Sequence, residues 1–226
     1  MKHLSPTLQP CFFDFFVKLA ANNNRDWFQA HKNMFQRQVF EPFKSLTEAV
    51  IERMQGIHPD IYIKYKEAAF RIYRDTRFSK DKTPYKLWMG AVVNPVGRKN
   101  TRYPELYFQF GPGENFIAVG LYRPDKEILT RIRNDMALRP ENFALINENP
   151  DFRNFFSEGF QGQRNKRLPQ QTWTKAAVKN PFILNKQFVA IRYYSPEEIL
   201  RPDLVDFIVA HYRAAQPFNE WLYDLI

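Results

Sequence analysis

Between residues 8 and 56, apolar residues recur every three or four positions with polar residues between them. That spacing places the apolar side chains on one face of a helix. Asn24 is a suitable N-cap, Pro42 suits the first turn of a helix, and Gly56 suits the end of one. The predicted helices in this part are 8–21, 24–40 and 42–56.

Beyond the His58-Pro59 turn the apolar period changes to two, which is typical of strands with one buried face. The clearest case is a hairpin whose two alternating runs flank the turn at 111–115. In its first strand, Leu106, Phe108 and Phe110 share one face. The predicted strands are 61–66, 70–73, 87–93, 106–110 and 116–122.

Helical spacing returns after residue 124. The residues expected to face inward there leave Arg131 and Arg133 off the apolar stripe; they are Ile128, Leu129, Ile132 and Met136. A further helix is expected over 140–146.

Residues 151–171 show no apolar period and are predicted to be irregular, with Asn149-Pro150 closing the preceding helix. A last strand is predicted over 187–194, where Arg192 shares a face with apolar residues and therefore needs a partner. The remaining predicted helices are 172–184, 197–200 and 203–215.

This order of elements predicts an α+β fold with a mainly antiparallel sheet. Helices are expected in the N-terminal third, after the central hairpin and at the C-terminus. We expect a single domain over 1–226, with a helical part at about 8–56 and a sheet-containing part at about 60–226.

Composition limits the class of protein. The 226 residues are 44% hydrophobic and 16% aromatic, which is sufficient for a packed core. The single cysteine excludes an internal disulfide, and no run of 18 apolar residues is present, so a soluble cytoplasmic protein without membrane contact is expected. The four histidines lie far apart and phosphate-binding glycine motifs are missing, so no metal or cofactor is predicted.

The net charge of +9 is concentrated in two segments. Residues 71–103 hold nine basic and two acidic side chains, and residues 159–196 hold seven basic and no acidic ones, so each segment carries +7. Charge clustered in this way concentrates anions near the surface, whereas evenly spread charge mainly aids solubility.

The densest basic stretch is 70–86, FRIYRDTRFSKDKTPYK. Arginine presents a planar fork of donors that suits phosphate oxygens, and lysine supplies a mobile positive charge. Asp75 and Asp81 are the only acids among these cations. The predicted ligand-binding residues are Arg71, Arg74, Arg77, Lys80, Lys82, Lys86, Arg123, Arg131 and Arg192.

Several motifs resemble one protein family. They are the stretch 74–86, Tyr122-Arg123-Pro124, the Arg131/Arg133 pair and the early Asn23-Asn24-Arg25-Asp26-Trp27-Phe28. The chain resembles the uncharacterised proteins grouped as domain of unknown function 2461 from about Phe12 to about Tyr193, with a looser match over 166–188. The resemblance implies no particular activity.

Three functions fit these observations. The first is binding of a phosphate-bearing ligand, either a small molecule or nucleic acid, in a basic cleft around 71–86. The second is an enzyme that acts on a phosphorylated or anionic substrate, with Asp75, Asp81 or Tyr85 in proton transfer. The third is a structural ion-pair network. The sequence indicates neither the ligand, nor a reaction, nor the oligomeric state.

Overall fold

The computed structural model describes residues 5–99 and 102–226. Its N-terminal helices are α1 (Pro10–Ala21), α2 (Arg25–Ala30), α3 (Lys32–Phe35) and α4 (Glu41–Gln55). The Asn24 side chain accepts a hydrogen bond from the Trp27 N–H at 2.9 Å, so α2 begins at the predicted cap. The predicted helix over 24–40 is interrupted at His31, and its last turn, Gln36–Phe40, is π-helical.

The helix α4 buries its predicted apolar stripe, whereas α1 buries Phe12, Phe13 and Phe16 of its stripe but leaves Val17 and Ala20 exposed. Phe12 and Phe16 of α1 and Phe43 and Val50 of α4 are fully buried. The rings of Phe12 and Phe43 are stacked with centroids 6.4 Å apart. Because burying one phenylalanine contributes roughly 1.5–3 kcal/mol, this aromatic layer is a major source of stability for the helical part.

The sheet has four antiparallel strands in the order β1-β2-β3-β4. They are β1 (Met89–Val93), β2 (Glu105–Phe110), β3 (Asn115–Leu121) and β4 (Phe188–Tyr194). The predicted hairpin is confirmed, with its turn closed by a hydrogen bond from the Gly111 N–H to the Asn115 side chain at 3.0 Å. A Cβ at Gly111 would lie 2.3 Å from the Leu87 carbonyl oxygen, so the close approach requires glycine.

The prediction of a strand over 61–66 is wrong. Ile61 and Ile63 are buried and Tyr62 and Lys64 exposed, as the alternation required, but no neighbouring strand pairs with them. The chain instead forms the short helix α5 (Tyr65–Ala68).

The second half of the chain is mainly helical, and its elements fall close to most predicted positions. The helices are α6 (Lys126–Leu138), α7 (Pro140–Asn147), α8 (Pro150–Phe155), α9 (Gln171–Ala176), a 3-10 helix (Pro181–Leu184), α10 (Pro196–Ile199), α11 (Leu204–Ala214) and α12 (Gln216–Tyr223).

Two expectations for this half need correction. Asn149 is the N-cap of α8 and accepts from the Phe152 N–H at 3.1 Å, so Asn149-Pro150 begins a helix inside the stretch predicted to be irregular. Arg133 is buried rather than off the apolar stripe, because its guanidinium donates to the Ile183 and Asn185 carbonyls at 3.1 Å and lies over the Trp173 ring.

The predicted α+β class is correct. The chain divides into two compact units, one of residues 1–98, 107–117 and 193–209, the other of residues 99–106, 118–192 and 210–226. In the part of the chain that the structure describes, no helix is both long enough and apolar enough to span a bilayer.

Candidate functional site

Residues 69–91 form an irregular antiparallel hairpin in the first unit, here called the basic hairpin. Its two legs are joined by backbone hydrogen bonds from Phe70 to Gly90, from Lys86 to Ile72 and from Arg74 to Pro84, at 2.8–2.9 Å. The strand predicted over 70–73 is therefore one leg of a pairing that contains only isolated bridges, Ala69 with Ala91 and Tyr73 with Tyr85.

One leg of the basic hairpin is anchored to the turn between α1 and α2. The Asn23 side chain donates to the Tyr85 carbonyl at 2.9 Å and accepts from the Tyr85 N–H at 3.1 Å. The Tyr85 ring stacks on Phe28 with centroids 4.1 Å apart. Asn23 thus anchors the basic hairpin, whereas Asn24 caps α2, so the two adjacent asparagines of the Asn-Asn-Arg motif have different structural roles.

The loop at the tip of the basic hairpin, residues 75–83, is held by ion pairs. The Arg77 guanidinium donates from Nε and Nη2 to the two Asp75 oxygens at 3.0 and 2.7 Å. Arg74 donates to the Asp81 carboxylate and the Thr83 hydroxyl. Hydrogen bonds from these arginines lower the pKa of Asp75 and of Asp81 to about 2, so both carboxylates are ionised at neutral pH.

The two lysines of this loop differ. Lys82 Nζ donates to the Thr76 carbonyl at 2.9 Å and so closes the loop, whereas the Lys80 side chain is exposed. Phe78 is 95% exposed, with the Arg77 guanidinium 5.8 Å from its ring centroid.

Three cations lie together at the base of the basic hairpin: Arg71, Lys86 and Arg98. Lys86 Nζ donates to the Arg71 carbonyl at 2.9 Å and lies 4.6 Å from the Trp88 ring centroid. Arg98 donates to the Lys66 carbonyl. Across residues 5–99 and 102–226, none of the three is ion-paired with an acid, and the Arg71 guanidinium makes no hydrogen bond.

The pKa of Lys86 reports on this clustering. Burial lowers the pKa of Lys86 from its ordinary value, and the positive charges of Arg71 and Arg98 lower it further. The three cations therefore repel one another. An anion placed among them would relieve that repulsion.

Arg98 was not among the residues predicted to bind ligand. It follows Gly97, which has φ +72° and whose Cβ would lie 2.9 Å from the Glu67 carbonyl oxygen. The Arg98 N–H donates to that same carbonyl at 3.1 Å. The tight turn after β1 thus brings Arg98 beside Arg71, and only the placement of Arg98 in the basic segment 71–103 indicated a role for it.

The three cations line a cavity of about 630 Å³, here called the basic cleft. Its lining residues are Phe70, Arg71, Tyr73, Arg74, Asp75, Thr76, Arg77, Lys86 and Arg98. A second cavity, of about 900 Å³ and mainly apolar, shares Phe70, Arg71, Tyr73 and Arg98 with it and is called the adjoining cavity.

Arg123, Arg131 and Arg192 belong to the second unit, where each makes local contacts. The Arg123 guanidinium lies 5.2 Å from the Tyr122 ring centroid. Arg131 donates to Glu127 at 2.7 Å and to the last two backbone carbonyls at 3.1 Å. Arg192 donates to the carbonyls of residues 154 and 155 at 3.1 and 3.2 Å, which supplies the partner that its position required.

The other candidate chemistry is limited. Burial raises the pKa of Tyr85, so its hydroxyl stays protonated at neutral pH. Among the residues that the structure describes, no group of three or more His, Cys, Asp or Glu side chains is arranged to hold a metal ion.

Comparison with known proteins places the chain in a family. No curated protein and no solved structure matches it. The family model described as conserved hypothetical protein (DUF2461) matches residues 11–221, which include nearly all of α1, the basic hairpin and all four strands. The chain therefore belongs to the conserved hypothetical family DUF2461.

Proposed function

We propose that the protein binds a phosphate-bearing ligand in the basic cleft. The observation that carries this proposal is the position of Arg71, Lys86 and Arg98 around one cavity, with no acid of the described residues 5–99 and 102–226 paired to any of them. Arginine and lysine donors in a concave, partly apolar site suit a phosphate group better than a neutral ligand.

The two paired arginines have a secondary part. Arg74 and Arg77 also line the basic cleft, but Asp81 and Asp75 already neutralise them. They add to the positive potential less than their number implies, and they give the loop its shape. We therefore assign the primary contacts with phosphate to Arg71, Lys86 and Arg98.

At the basic hairpin, ligand binding is better supported than proton transfer by Asp75 or Asp81. A general acid or base works best with a pKa near the working pH. Asp75 and Asp81, with pKa values of about 2 and an arginine on each, are poor proton acceptors at neutral pH.

Nucleic acid is one form of phosphate-bearing ligand, and exposed aromatic residues favour that form. Phe78 at the tip and Tyr73 on the leg of the basic hairpin are 95% and 52% exposed. Aromatic side chains beside cations suit stacking on unpaired bases. Binding to a single-stranded oligonucleotide would then weaken as salt is raised, because each neutralised phosphate releases counterions.

The test is calorimetric titration of the full chain with pyrophosphate and, separately, with a short single-stranded oligonucleotide. We expect Arg71→Ala and Arg98→Ala each to weaken binding about tenfold, equivalent to about 1.4 kcal/mol. Lys18→Gln is the matched control, since it removes one exposed positive charge that lines neither cavity. The absence of binding to either ligand, or an equal loss with Lys18→Gln, would reject the proposal.

A further inference from the structure

The adjoining cavity indicates what the rest of the ligand is. We propose that the ligand is a nucleoside phosphate with an amino-bearing base, whose phosphate lies in the basic cleft and whose base lies in the adjoining cavity. This inference rests on the proposed function, because it uses the same arginines.

The basic cleft and the adjoining cavity share part of their lining. Arg71 and Arg98 line both cavities, together with the aromatic side chains of Phe70 and Tyr73. A ligand whose phosphate contacts these arginines therefore has open space beside it for a further group. The adjoining cavity, at about 900 Å³, is within the range of roughly 300–1,000 Å³ typical of small-molecule sites.

Aromatic and apolar side chains form much of the lining of the adjoining cavity. Phe40 and Tyr65 face the adjoining cavity and contact each other edge to face, with centroids 5.6 Å apart and planes at 86°. Ile51, Ile63 and Ile72 also line this cavity and add apolar surface. Flat apolar and aromatic walls suit a planar heterocycle.

Two carboxylates of α4 also line the adjoining cavity. Glu48 and Glu52 lie one turn apart on α4 and line only the adjoining cavity of the two. In the described part of the chain neither is ion-paired or hydrogen-bonded, not even to Lys44 on the same helix face. Both glutamates are exposed, and Lys44, Lys64 and Lys66 line the same cavity beside the apolar side chains. Two carboxylates without partners there favour a ligand that donates hydrogen bonds.

Charge complementarity decides between ligand classes. Cations line both cavities, whereas the carboxylates that have no ion-pair partner in the described part of the chain lie, of the two cavities, only in the adjoining one, on α4. A phosphorylated acyl chain would place methylene groups against Glu48 and Glu52. Methylene groups donate no hydrogen bonds, so neither carboxylate would gain a partner. The amino group of adenine or cytosine donates to a carboxylate, whereas the carbonyl that replaces it in hypoxanthine or uracil repels one.

The experiment compares matched ligands by calorimetric titration of the full chain. AMP is compared with IMP, CMP with UMP, and all four with ribose 5-phosphate and lysophosphatidic acid. We expect AMP or CMP to bind at least tenfold more tightly than ribose 5-phosphate and about fivefold more tightly than its deaminated counterpart. The double variant Glu48→Gln, Glu52→Gln should abolish that fivefold preference and leave ribose 5-phosphate affinity within twofold of the parent.

Glu114→Gln, which neutralises an exposed carboxylate in the β2-β3 turn, is the control and should keep the preference. If ribose 5-phosphate binds as tightly as every nucleotide, or if lysophosphatidic acid binds most tightly, the inference is overturned while the proposed phosphate site stands. If the preference survives in the double variant, the assignment to Glu48 and Glu52 is overturned. If no phosphate compound binds, the proposed function itself fails.

Discussion

Arg71 and Arg74, three positions apart on the same leg of the basic hairpin, illustrate how identical side chains take different roles. Arg74 is half-buried and bound to Asp81 and Thr83. Arg71 is exposed, and its guanidinium makes no hydrogen bond or ion pair within residues 5–99 and 102–226. Stability measurements can therefore distinguish the structural role of Arg74 from the ligand-binding role proposed for Arg71.

Arg74→Ala should lower the melting temperature by about 2 °C, because the loop loses contacts with Asp81 and Thr83. Arg71→Ala should change it by less than about 1 °C, since surface substitutions without partners have small effects. Differential scanning calorimetry without phosphate measures both. An equal loss with both variants would favour the structural role for the whole motif.

Glu105 on β2 should make stability depend on pH. Burial raises the pKa of Glu105 from 4.5 to about 7, and the positive charge of Arg123 opposes this only in part. Between these values the folded chain holds a proton that the unfolded chain releases, so the free energy of unfolding falls as pH rises through this window.

Glu105→Gln should therefore gain about 1–3 kcal/mol relative to the parent between pH 5 and pH 8, because glutamine stays neutral. Urea denaturation at both pH values measures the difference. A constant difference across that range would show that the Glu105 carboxyl titrates normally in the folded protein.

At the scale of elements, apolar periodicity predicted α4, α6 and the β2-β3 hairpin well, since in each one buried face sets the pattern. It failed at 61–66, because alternating burial does not require a hydrogen-bonded neighbour. It also failed at 150–155, predicted to be irregular: Asn149-Pro150 follows the end of α7, as expected, but the same pair also begins α8.

The candidate site was predicted in part, and the missing part has a physical reason. Arg71 and Lys86 belong to one dense run of charge, so composition alone drew attention to them. Arg98 comes from the turn after β1, and Glu48 and Glu52 come from α4. Their approach to the basic hairpin depends on tertiary packing, which spacing along one segment does not encode.

The anchor between the α1-α2 turn and the basic hairpin should be measurable. Asn23→Ala removes two hydrogen bonds to the buried Tyr85 backbone and should cost about 1–3 kcal/mol of unfolding free energy. Asn22→Ala is the control, because the Asn22 side chain makes one exposed bond, to the Lys18 carbonyl at 3.0 Å. Equal losses in urea denaturation would contradict the anchoring role.

At the scale of the whole molecule, both cavities belong to one compact unit. Every residue that lines the basic cleft or the adjoining cavity lies between Phe35 and Arg98. That unit also contains residues 193–209, and α11 is joined to α4 by an ion pair between Asp206 and Arg53 at 3.0 Å. The helix that carries Glu48 and Glu52 thus makes an exposed ion pair with a segment far along the chain, in the same compact unit.

Because the first unit is assembled from separate ranges of the chain, it cannot be completed early in synthesis. A ribosome delivers residues in order, and domains generally fold as units while the chain emerges. Here the residues that line the cavities emerge early, but their unit lacks its last segment, residues 193–209, until residue 209 has been made. The nascent chain must therefore hold an incomplete, aromatic-rich unit through more than a hundred further residues, and chaperones that bind exposed apolar surface have their longest opportunity in that interval.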